Sequence, residues 1–377
     1  MDFDFTEDQE SLRDAVRRWV DKGYDFERRR GIVRAGGFSP EAYGELADLG
    51  LLGLAIPEAQ GGMGFGAVEA MVVMEELGRG IVLEPYASVA LVAAPLLAAS
   101  AGGAKWLPGI ADGSAIVVLA QQERAARYRL AHVETKATRD SAGQWLLSGA
   151  KSIVPAGAHA TAFIVPARVA GAVDDASGIA LFIVEKGNGV SVRGYPTQDG
   201  ACAAEVTFER ASAALLFPAG EAYAALEAAV DRGIAAVAAE SVGVMDKLVD
   251  LTVDYLNTRK QFGVAIGTFQ ALRHRLADVK MQLELARSMS YYASLKLGEP
   301  PAQRRRALAQ AKVQIGQSLR FVGQQCTQMH GGIGVTDEYI GGHYFKRLTV
   351  IDLSYGDTLH HLGEVSERMQ DTAGVFA

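Results

Sequence analysis

Cysteine is scarce in this sequence. The 377 residues include only two, Cys202 and Cys326, and their unlike contexts lack the paired spacing of a metal site. We therefore expect no metal centre and take a reducing compartment as the default. Long apolar runs are missing as well. No stretch approaches the ~20 uninterrupted apolar residues that a membrane span requires.

Positive charge is also in short supply. The chain has 37 Lys and Arg against 44 Asp and Glu, a net charge of -7. This balance argues against binding to nucleic acid or anionic membranes, because no basic stripe offsets it. The N-terminal segment MDFDFTEDQE is acidic and lacks the basic region and apolar run of a signal peptide. We expect a soluble cytoplasmic protein.

What remains is the composition of an ordinary globular protein, with 49% hydrophobic and 21% charged residues. A chain of 377 residues is too long for a single hydrophobic core, which predicts two or three domains. Neither an internal repeat nor a low-complexity segment is found in the sequence.

The first 115 residues carry helix signals. Thr6 followed by Gln9 forms a capping box, and Ser39-Pro40 combines a capping hydroxyl with a proline at the first helical position. The glycine-rich segment 61–66 lacks the lysine of a P-loop and follows no clear strand. We interpret it as a turn. Residues 1–115 are therefore predicted to form an N-terminal helical domain.

The pattern changes near Ile116. Short runs of β-forming residues, separated by turn residues, continue to about Phe217. Seven such runs without intervening long helices disfavour a Rossmann fold. They predict an antiparallel β-barrel or sandwich over residues 116–218.

Helical periodicity returns from residue 219 and continues to 377. Three apolar stripes of about 25 to 30 residues each fit an antiparallel bundle. The predicted fold class is thus mainly α with a central β domain, followed by a C-terminal four-helix bundle.

Binding chemistry is concentrated between Thr258 and Asp278, in the stretch TRKQFGVAIGTFQALRHRLAD. The stretch is typical of one helix ending, a short loop and a second helix beginning. It contains a cation, two amides and two aromatic rings: Arg259, Gln261, Phe262, Phe269 and Gln270. Arginine grips pyrophosphate bidentately and aromatic rings pack on ring systems, which predicts a large, flat, phosphate-bearing ligand. Taken alone, Arg259 also fits a helix C-terminus.

The same stretch, R-K-Q-F-G-x-x-I-G-x-F-Q followed by H-x-L-A-D, resembles the signature of the acyl-CoA dehydrogenase family. A second block, Gln328 to Tyr339, resembles the family's Q-x-x-G-G-x-G segment. The segments D-F-x-E-x-Q and L-G-L-L-G-L-x-x-P-E-x-x-G-G-x-G and the helical–β–helical order agree, so the likeness covers nearly the whole chain. Within the family, the chain is most similar to small subunits of pimeloyl-CoA-type dehydrogenases.

This resemblance implies FAD bound across a subunit boundary, an acyl-CoA substrate and an electron-transfer flavoprotein as acceptor. It also implies an oligomer, a dimer or tetramer, built on the C-terminal bundles. In the implied reaction a carboxylate removes the α-proton of the thioester as the β-hydride moves to the flavin. The cofactor contacts that the resemblance implies are Arg259, Gln261, Phe262, Phe269, Gln270, Gln328, Gly332, Thr358 and His360.

The sequence departs from the family at the catalytic base. The usual Y-E-G-T segment is Tyr355-Gly356-Asp357-Thr358 here, so glycine replaces the glutamate and Asp357 follows one position later. An alternative base position near Gly233 has no carboxylate either, and Glu240 lies two turns further on. Three interpretations stay open: Asp357 is the base, a partner chain of a mixed tetramer carries it, or Glu240 or another residue acts. Asp357 also fits a turn or cap residue.

The β region departs too. The family's T-E-P-x-x-G-S and W-I-T-N segments correspond to Gln121-Gln122-Glu123-Arg124 and Ser152-Ile153-Val154-Pro155. Gln121 and Ser152 are expected to hydrogen-bond the flavin, although the tryptophan is missing. His360 and His361 have no carboxylate or cysteine cluster around them in sequence, so we predict no metal ligands.

Our leading hypothesis is an FAD-dependent acyl-CoA dehydrogenase of the fatty-acid β-oxidation type. A second is a non-catalytic subunit, paired with a homologous large subunit, that completes a partner's FAD site. A third is a related flavin oxidase or monooxygenase with the same architecture.

Overall fold

A computed structural model describes residues 4–100 and 102–373 of the chain. The first three residues of the acidic N-terminal segment and the last four of the predicted bundle lie outside this part. Contacts divide the chain into two compact units. Unit 1 comprises Met1–Arg29, Ala67–Val82 and Ile234–Ala377, and unit 2 comprises Arg30–Gly66 and Leu83–Gly233. The domain boundaries after residues 115 and 218 stay a prediction.

The order of elements is helical, then β, then helical. The helices are α1 (Glu7–Gly23), α2 (Phe26–Arg34), α3 (Pro40–Asp48), α4 (Ala67–Arg79), α5 (Ala94–Ala98), α6 (Leu107–Ala111), α7 (Ala222–Thr258), α8 (Gln270–Leu295), α9 (Pro301–His330), α10 (Ile340–Leu353) and α11 (Thr358–Ala373). The strands are β1 (Val117–Leu119), β2 (Lys136–Arg139), β3 (Trp145–Pro155), β4 (Ala162–Arg168), β5 (Ile179–Glu185), β6 (Val190–Pro196), β7 (Cys202–Phe217), β8 (Lys260–Gln261) and β9 (Val264–Ala265).

The two predicted helix caps are confirmed. The backbone N–H of Gln9 donates to Thr6 Oγ1 (3.3 Å) and the Thr6 N–H donates to Gln9 Oε1 (3.0 Å), so α1 begins with a complete capping box. At α3 the Ala42 N–H donates to Ser39 Oγ at 3.2 Å, with Pro40 in the first turn. In both cases a side-chain oxygen satisfies an N–H group that the helix itself leaves unpaired.

Unit 1 is a helical unit in which α9 is central. Helices α8, α10 and α11 all pack against α9, and the apolar face of α9 is fully buried along its length. Helix α7 has 37 residues and is longer than the predicted 25 to 30. The apolar stripes predicted the bundle correctly because each helix buries one side and leaves the other polar.

Helices α4 and α7 cross at very short range in unit 1. A Cβ atom at Gly243 would lie 1.8 Å from the Glu75 carbonyl oxygen, and one at Gly78 would lie 2.3 Å from the Glu240 carbonyl oxygen. Only a residue without a side chain allows the two backbones to approach this closely. The two glycines therefore fix the position of α4 on α7.

Unit 2 contains a barrel-like sheet. Its strands follow the order β1-β4-β2-β3-β7-β5, with β4 also paired to β5 and β6 paired to β7. All seven predicted strands are present. Most pairings are antiparallel, as predicted, but β1 runs parallel to β4 and β2 meets β4 in parallel at one residue pair. The long connection between β1 and β4, which includes the β2–β3 hairpin, lets the chain return in the same direction.

Among the described residues no helix is both long and apolar enough to cross a membrane. A group of three or more His, Cys, Asp or Glu side chains suited to a metal ion is likewise not found in that part of the chain.

Replacing Gly243 with alanine is expected to destabilise the protein, because the added methyl group would overlap the Glu75 carbonyl oxygen. The expected loss in free energy of unfolding is about 3 kcal/mol, measured by urea denaturation. Gly44 in α3 is the matched control, since nothing lies within 4 Å of a Cβ atom added there. Gly44→Ala should stabilise α3 slightly, by about 0.5–1 kcal/mol. Equal effects of the two changes would contradict the close crossing.

Candidate functional site

The stretch between α7 and α8 forms a β-hairpin. Helix α7 ends at Thr258, β8 pairs with β9, and Phe262 and Gly263 form the two-residue turn between them. Both turn residues have positive φ angles, +54° and +82°, as a type I′ turn requires. The sequence prediction of a helix end, a loop and a helix start is confirmed. We call the segment Arg259–Gln270 the clasp.

Each of the five residues of the clasp that the sequence predicts to bind a ligand is exposed: Arg259, Gln261, Phe262, Phe269 and Gln270. The Phe262 ring is 92% exposed and meets Phe269 edge-on, with 6.2 Å between ring centroids. Within residues 4–100 and 102–373, the Arg259 guanidinium has no hydrogen bond or ion pair. An exposed aromatic pair beside an uncompensated cation is a surface suited to a ligand or another chain.

The C-terminal end of α9 lies next to the end of α7. The His330 ring packs on Tyr255 of α7 with 4.7 Å between centroids, and its Nε2 is 2.8 Å from the Tyr339 hydroxyl. This contact holds the exposed residues Gln328 and Gly332 at the same end of unit 1 as the clasp. The sequence pattern did not indicate the supporting role of His330, because its partners are 75 and 9 residues away along the chain.

The turn between α10 and α11 holds the remaining candidates of unit 1. The His360 N–H donates to Asp357 Oδ1 at 2.8 Å, so Asp357 is the N-cap of α11. Thr358 is buried and its hydroxyl donates to Asp352 Oδ1 at 2.8 Å. His360 is half-buried, with its Nε2 3.6 Å from Glu364 Oε1.

Gly356, where the family carries its glutamate, adopts a backbone conformation that disfavours side chains. Its φ angle is +109°, and a Cβ atom would lie 2.6 Å from both the His360 Cδ2 and the His361 Nε2 atoms. His361 is buried and its Nε2 lies 3.0 Å from the Tyr355 carbonyl oxygen. Burial, followed by the nearby positive charge of Lys312, lowers the pKa of His361 to about 3, so the ring is neutral at physiological pH.

Glu240, the other candidate base, is buried and ion-paired. The Arg347 side chain donates to both of its carboxylate oxygens, at 2.5 Å to Oε1 and 2.7 Å to Oε2. One guanidinium therefore occupies both oxygens of the Glu240 carboxylate.

The structure brings some of the predicted residues of unit 1 together and separates others. The clasp, Gln328 and Gly332 share one end of the unit. Thr358 instead contacts Gly316 on α9, where a Cβ would lie 2.0 Å from the Thr358 hydroxyl oxygen. Gly316 and Gln328 are 12 residues apart on α9. At a rise of 1.5 Å per residue this is about 18 Å, so the predicted residues form two separate groups.

The two predicted residues of unit 2 each present a buried atom that lacks a partner. Gln121 Oε1 and Ser152 Oγ are shielded from solvent, and neither has a hydrogen-bond partner in the described part of the chain. A buried polar atom without a partner costs about 1–3 kcal/mol, so each such atom requires an explanation. A bound ligand that supplies the missing hydrogen bonds is one.

Two residues close to Gln121 and Ser152 in the sequence form a buried ion pair. Lys151 Nζ donates to Glu123 Oε1 at 2.6 Å, and both side chains are buried. Burial lowers the pKa of Lys151 to about 8, against the opposing attraction of Glu123. Burial raises the pKa of Glu123, but Lys151 and the hydrogen bonds from Thr135 and Glu134 outweigh it and hold that pKa below its usual value. The sequence pattern did not predict this pair; a lysine inside an apolar strand was its only signal.

These features fit the FAD that the sequence resemblance implies. The clasp offers a free guanidinium to a pyrophosphate and two aromatic rings to a ring system. The unpartnered atoms of Gln121 and Ser152 suit the polar edge of a flavin. Each of the two groups by itself therefore suits one part of a dinucleotide with an aromatic head group.

Comparison with known proteins supports the same family along the chain. The profile described as acyl-CoA dehydrogenase, N-terminal domain, matches residues 6–114, that of the middle domain matches residues 119–211, and that of the C-terminal domain matches residues 220–370. Together they span nearly all of the sequence. Members of this family bind FAD.

Similar individual proteins cover the full length. An acryloyl-CoA reductase (NADH) from Anaerotignum propionicum is 27% identical over 96% of this chain and 94% of its own. A structure of a variant of the Tcur3481–Tcur3483 steroid ACAD matches with 29% identity and a TM-score of 0.88, over 98% of this chain and 99% of that one. The ChsE4–ChsE5 complex from Mycobacterium tuberculosis matches with 25% identity and a TM-score of 0.86, over 98% and 99%. The finer likeness to pimeloyl-CoA-type small subunits stays a prediction. The chain belongs to the acyl-CoA dehydrogenase family, flavoprotein oxidoreductases that act on CH–CH bonds.

Proposed function

We propose that this chain takes part in the FAD-dependent α,β-dehydrogenation of an acyl-CoA thioester, with electrons passed to an electron-transfer flavoprotein. In this proposal the chain holds FAD, and a homologous partner chain supplies the catalytic base. The observation that carries the second statement is that each base position named from the sequence is empty or already engaged. Gly356 has no side chain, Asp357 caps α11, and Glu240 is paired with Arg347.

The chemistry of the reaction explains why this matters. The α-proton of a thioester is too weakly acidic for water to remove at neutral pH, so an unhindered carboxylate must be placed beside it. Arg347 occupies both carboxylate oxygens of Glu240, and the helix cap occupies one oxygen of Asp357. FAD, when bound, accepts the β-hydride.

The residues of this chain have binding roles in the proposal. Arg259 neutralises pyrophosphate charge, and Phe262 and Phe269 cover an apolar part of the cofactor. Gln121 and Ser152 hydrogen-bond the flavin through atoms that are otherwise unpartnered. The exposed clasp favours a cofactor held jointly with a neighbouring chain, in a dimer or tetramer.

The comparisons support a pairing of two different chains. The ChsE4–ChsE5 complex and the Tcur3481–Tcur3483 protein are both named as pairs. We extend that arrangement to this chain and propose a homologous large subunit as its partner.

A second candidate is a self-sufficient oligomer in which Asp357 is the base. It is favoured by the half-exposed position of Asp357 and by the engagement of only its Oδ1 atom in the helix cap. The remaining oxygen has a lone pair for a proton.

Anaerobic addition of acyl-CoA thioesters, including dicarboxylyl ones, to the purified, FAD-loaded chain tests these two candidates. We expect absorbance between 350 and 500 nm from bound FAD but no bleaching by the chain alone, because no base is placed on the substrate. Bleaching should begin when the homologous partner is added.

The variant Asp357→Asn tests the second candidate, in which Asp357 is the base. Asparagine caps helices as well as aspartate does, so the change removes the carboxylate while preserving α11. Unchanged bleaching of the mixed complex is the expected result. If the chain alone bleaches and Asp357→Asn abolishes it, the self-sufficient oligomer is correct. A chain that takes up no FAD under any condition would refute the cofactor proposal.

The turn itself can be tested by adding a methyl group at Gly356. We expect Gly356→Ala to lower the free energy of unfolding by about 2 kcal/mol or more, because of the positive φ angle and the overlap with two imidazole rings. Gly363→Ala in α11, where nothing lies within 4 Å of the added atom, is the control and should not destabilise. Thermal and urea unfolding of both variants measure this. A fully stable Gly356→Glu protein that gains bleaching activity would show that the turn accepts a base.

For the clasp, Arg259→Met is expected to weaken FAD binding by about 10- to 100-fold, the effect of losing a charge-assisted hydrogen bond to phosphate. FAD affinity is measured by the quenching of flavin fluorescence, and the mass of the oligomer is measured by light scattering. Lys280→Met is the matched control, because it removes an exposed cation on α8 that pairs with Glu284. Equal FAD affinities of the two variants would contradict the role of the clasp.

A further inference from the structure

The buried pair Glu123–Lys151 joins two segments of unit 2 that are far apart in sequence. Lys151 is fully buried in β3, and Glu123 lies in the loop after β1. Beside it, the Ser152 N–H donates to the Gln122 carbonyl oxygen at 2.8 Å. The ion pair and this backbone hydrogen bond are adjacent cross-links between the same two segments.

Glu123 is itself held by three further donors. Its Oε1 accepts the Thr135 N–H at 3.0 Å and the Thr135 hydroxyl at 2.7 Å, and its Oε2 accepts the Glu134 N–H at 2.5 Å. Because these bonds fix the carboxylate, the position of Glu123 does not depend on Lys151, and Glu123 anchors the lysine. The ammonium group has no other hydrogen-bond partner in the described residues.

Two residues close to the pair in sequence each carry a buried atom that lacks a hydrogen-bond partner in the described part of the chain. Gln121 lies two positions before Glu123, and Ser152 directly follows Lys151. The backbone of β3 is irregular at this point, with a register shift against β7 between Lys151 and Val154. Ile153 has a φ angle of +52°, which is an outlier for a β-branched residue, and its side chain is 52% exposed. Strained backbone of this kind persists only where its surroundings hold it in place.

Stability alone gives little reason for such a pair. Removing two charges from water is costly, and well-packed apolar residues in place of a buried ion pair are often as stable or more stable. A buried ion pair is useful to a protein where its fixed geometry holds other groups in place.

Resting on the proposed function above, we infer that Glu123 and Lys151 are positioning residues for the flavin. Their ion pair fixes the loop after β1 against the bulge of β3 and thereby holds Gln121 Oε1 and Ser152 Oγ in the arrangement that hydrogen-bonds the cofactor. Neither residue of the pair touches the reacting atoms in this inference.

Replacing the pair by uncharged residues separates positioning from stability. Glu123→Gln and Lys151→Met as single changes should both destabilise the protein, because each leaves a buried charge unpaired. The double variant E123Q/K151M leaves no buried charge and keeps a side-chain oxygen to accept from Thr135. It should recover most of that stability and still bind FAD about tenfold or more weakly, with a shifted flavin absorption spectrum. Val165→Ala in the core of β4 is the control for lost stability, and FAD affinity should not change in it.

Hydrogen exchange of the cofactor-free protein gives a readout that does not depend on FAD. In the double variant the Ser152 amide should exchange about tenfold faster or more, while amides of the β4–β5 pairing keep their protection. If the double variant fails to fold, Lys151→Arg replaces it, since arginine keeps the charge but not the single short contact. Wild-type exchange at Ser152 in a folded variant would overturn the positioning role.

A double-mutant cycle identifies the atoms through which the pair acts. In a Gln121→Ala/Ser152→Ala background, replacing the pair should change FAD affinity no further, because the positioned groups are already gone. Additive losses would overturn the inference. A wild-type protein that binds no FAD would instead refute the proposed function and the role toward the flavin, while the exchange measurement would still decide whether the pair holds the bulge.

Discussion

The buried side chain of Lys312 holds the end of α10, where the turn that contains Gly356 begins. Lys312 of α9 donates to the carbonyl oxygens of Ile351 (2.7 Å) and Asp352 (3.0 Å), two acceptors in the last turn of α10. Burial lowers its pKa to about 8, and the carboxylates of Asp352 and Asp357 oppose that shift. The lysine satisfies carbonyl acceptors at the C-terminal end of α10. The backbone must then turn through residues of positive φ, Tyr355 (+56°) and Gly356 (+109°), before α11 starts. The turn whose conformation disfavours a side chain at Gly356 thus adjoins a helix end that is held by a contact from another helix.

The same arrangement uses up the carboxylates that a proton-abstracting enzyme needs. Asp352 accepts from Thr358 and pairs with Arg320, while Asp357 caps α11. Glu240 is held by Arg347. Each of these carboxylates already has a partner within the fold, whereas a catalytic base must lie within hydrogen-bond reach of the substrate proton that it removes. In this chain the carboxylates that were considered as catalytic bases make structural contacts instead. This engagement is the reason for proposing that a partner chain supplies the base.

Much of the fold was predictable from the sequence because its signals are local. Caps such as Thr6 with Gln9, turn residues between strands and helical stripes all depend on neighbours within a few positions. The clasp was predicted for the same reason, since its residues lie within one short stretch. The parallel β1–β4 pairing, the Lys312 contact and the Glu123–Lys151 pair were not predicted. Their partners are 28 or more residues apart, and neither periodicity nor spacing encodes such contacts.

The clasp is the feature that the fold of one chain does not account for. Phe262 has a bulky side chain at a positive φ angle, a conformation that costs an L-residue about 1–2 kcal/mol, and its ring is almost wholly exposed to solvent. A hairpin turn at this point would be less strained with asparagine and glycine, the usual residues of a type I′ turn. Folding therefore gains little from the aromatic ring beyond its edge-on contact with Phe269. An exposed ring at this position suits a surface that another molecule covers, and the positive guanidinium of Arg259 nearby in sequence suits a negatively charged group on that molecule.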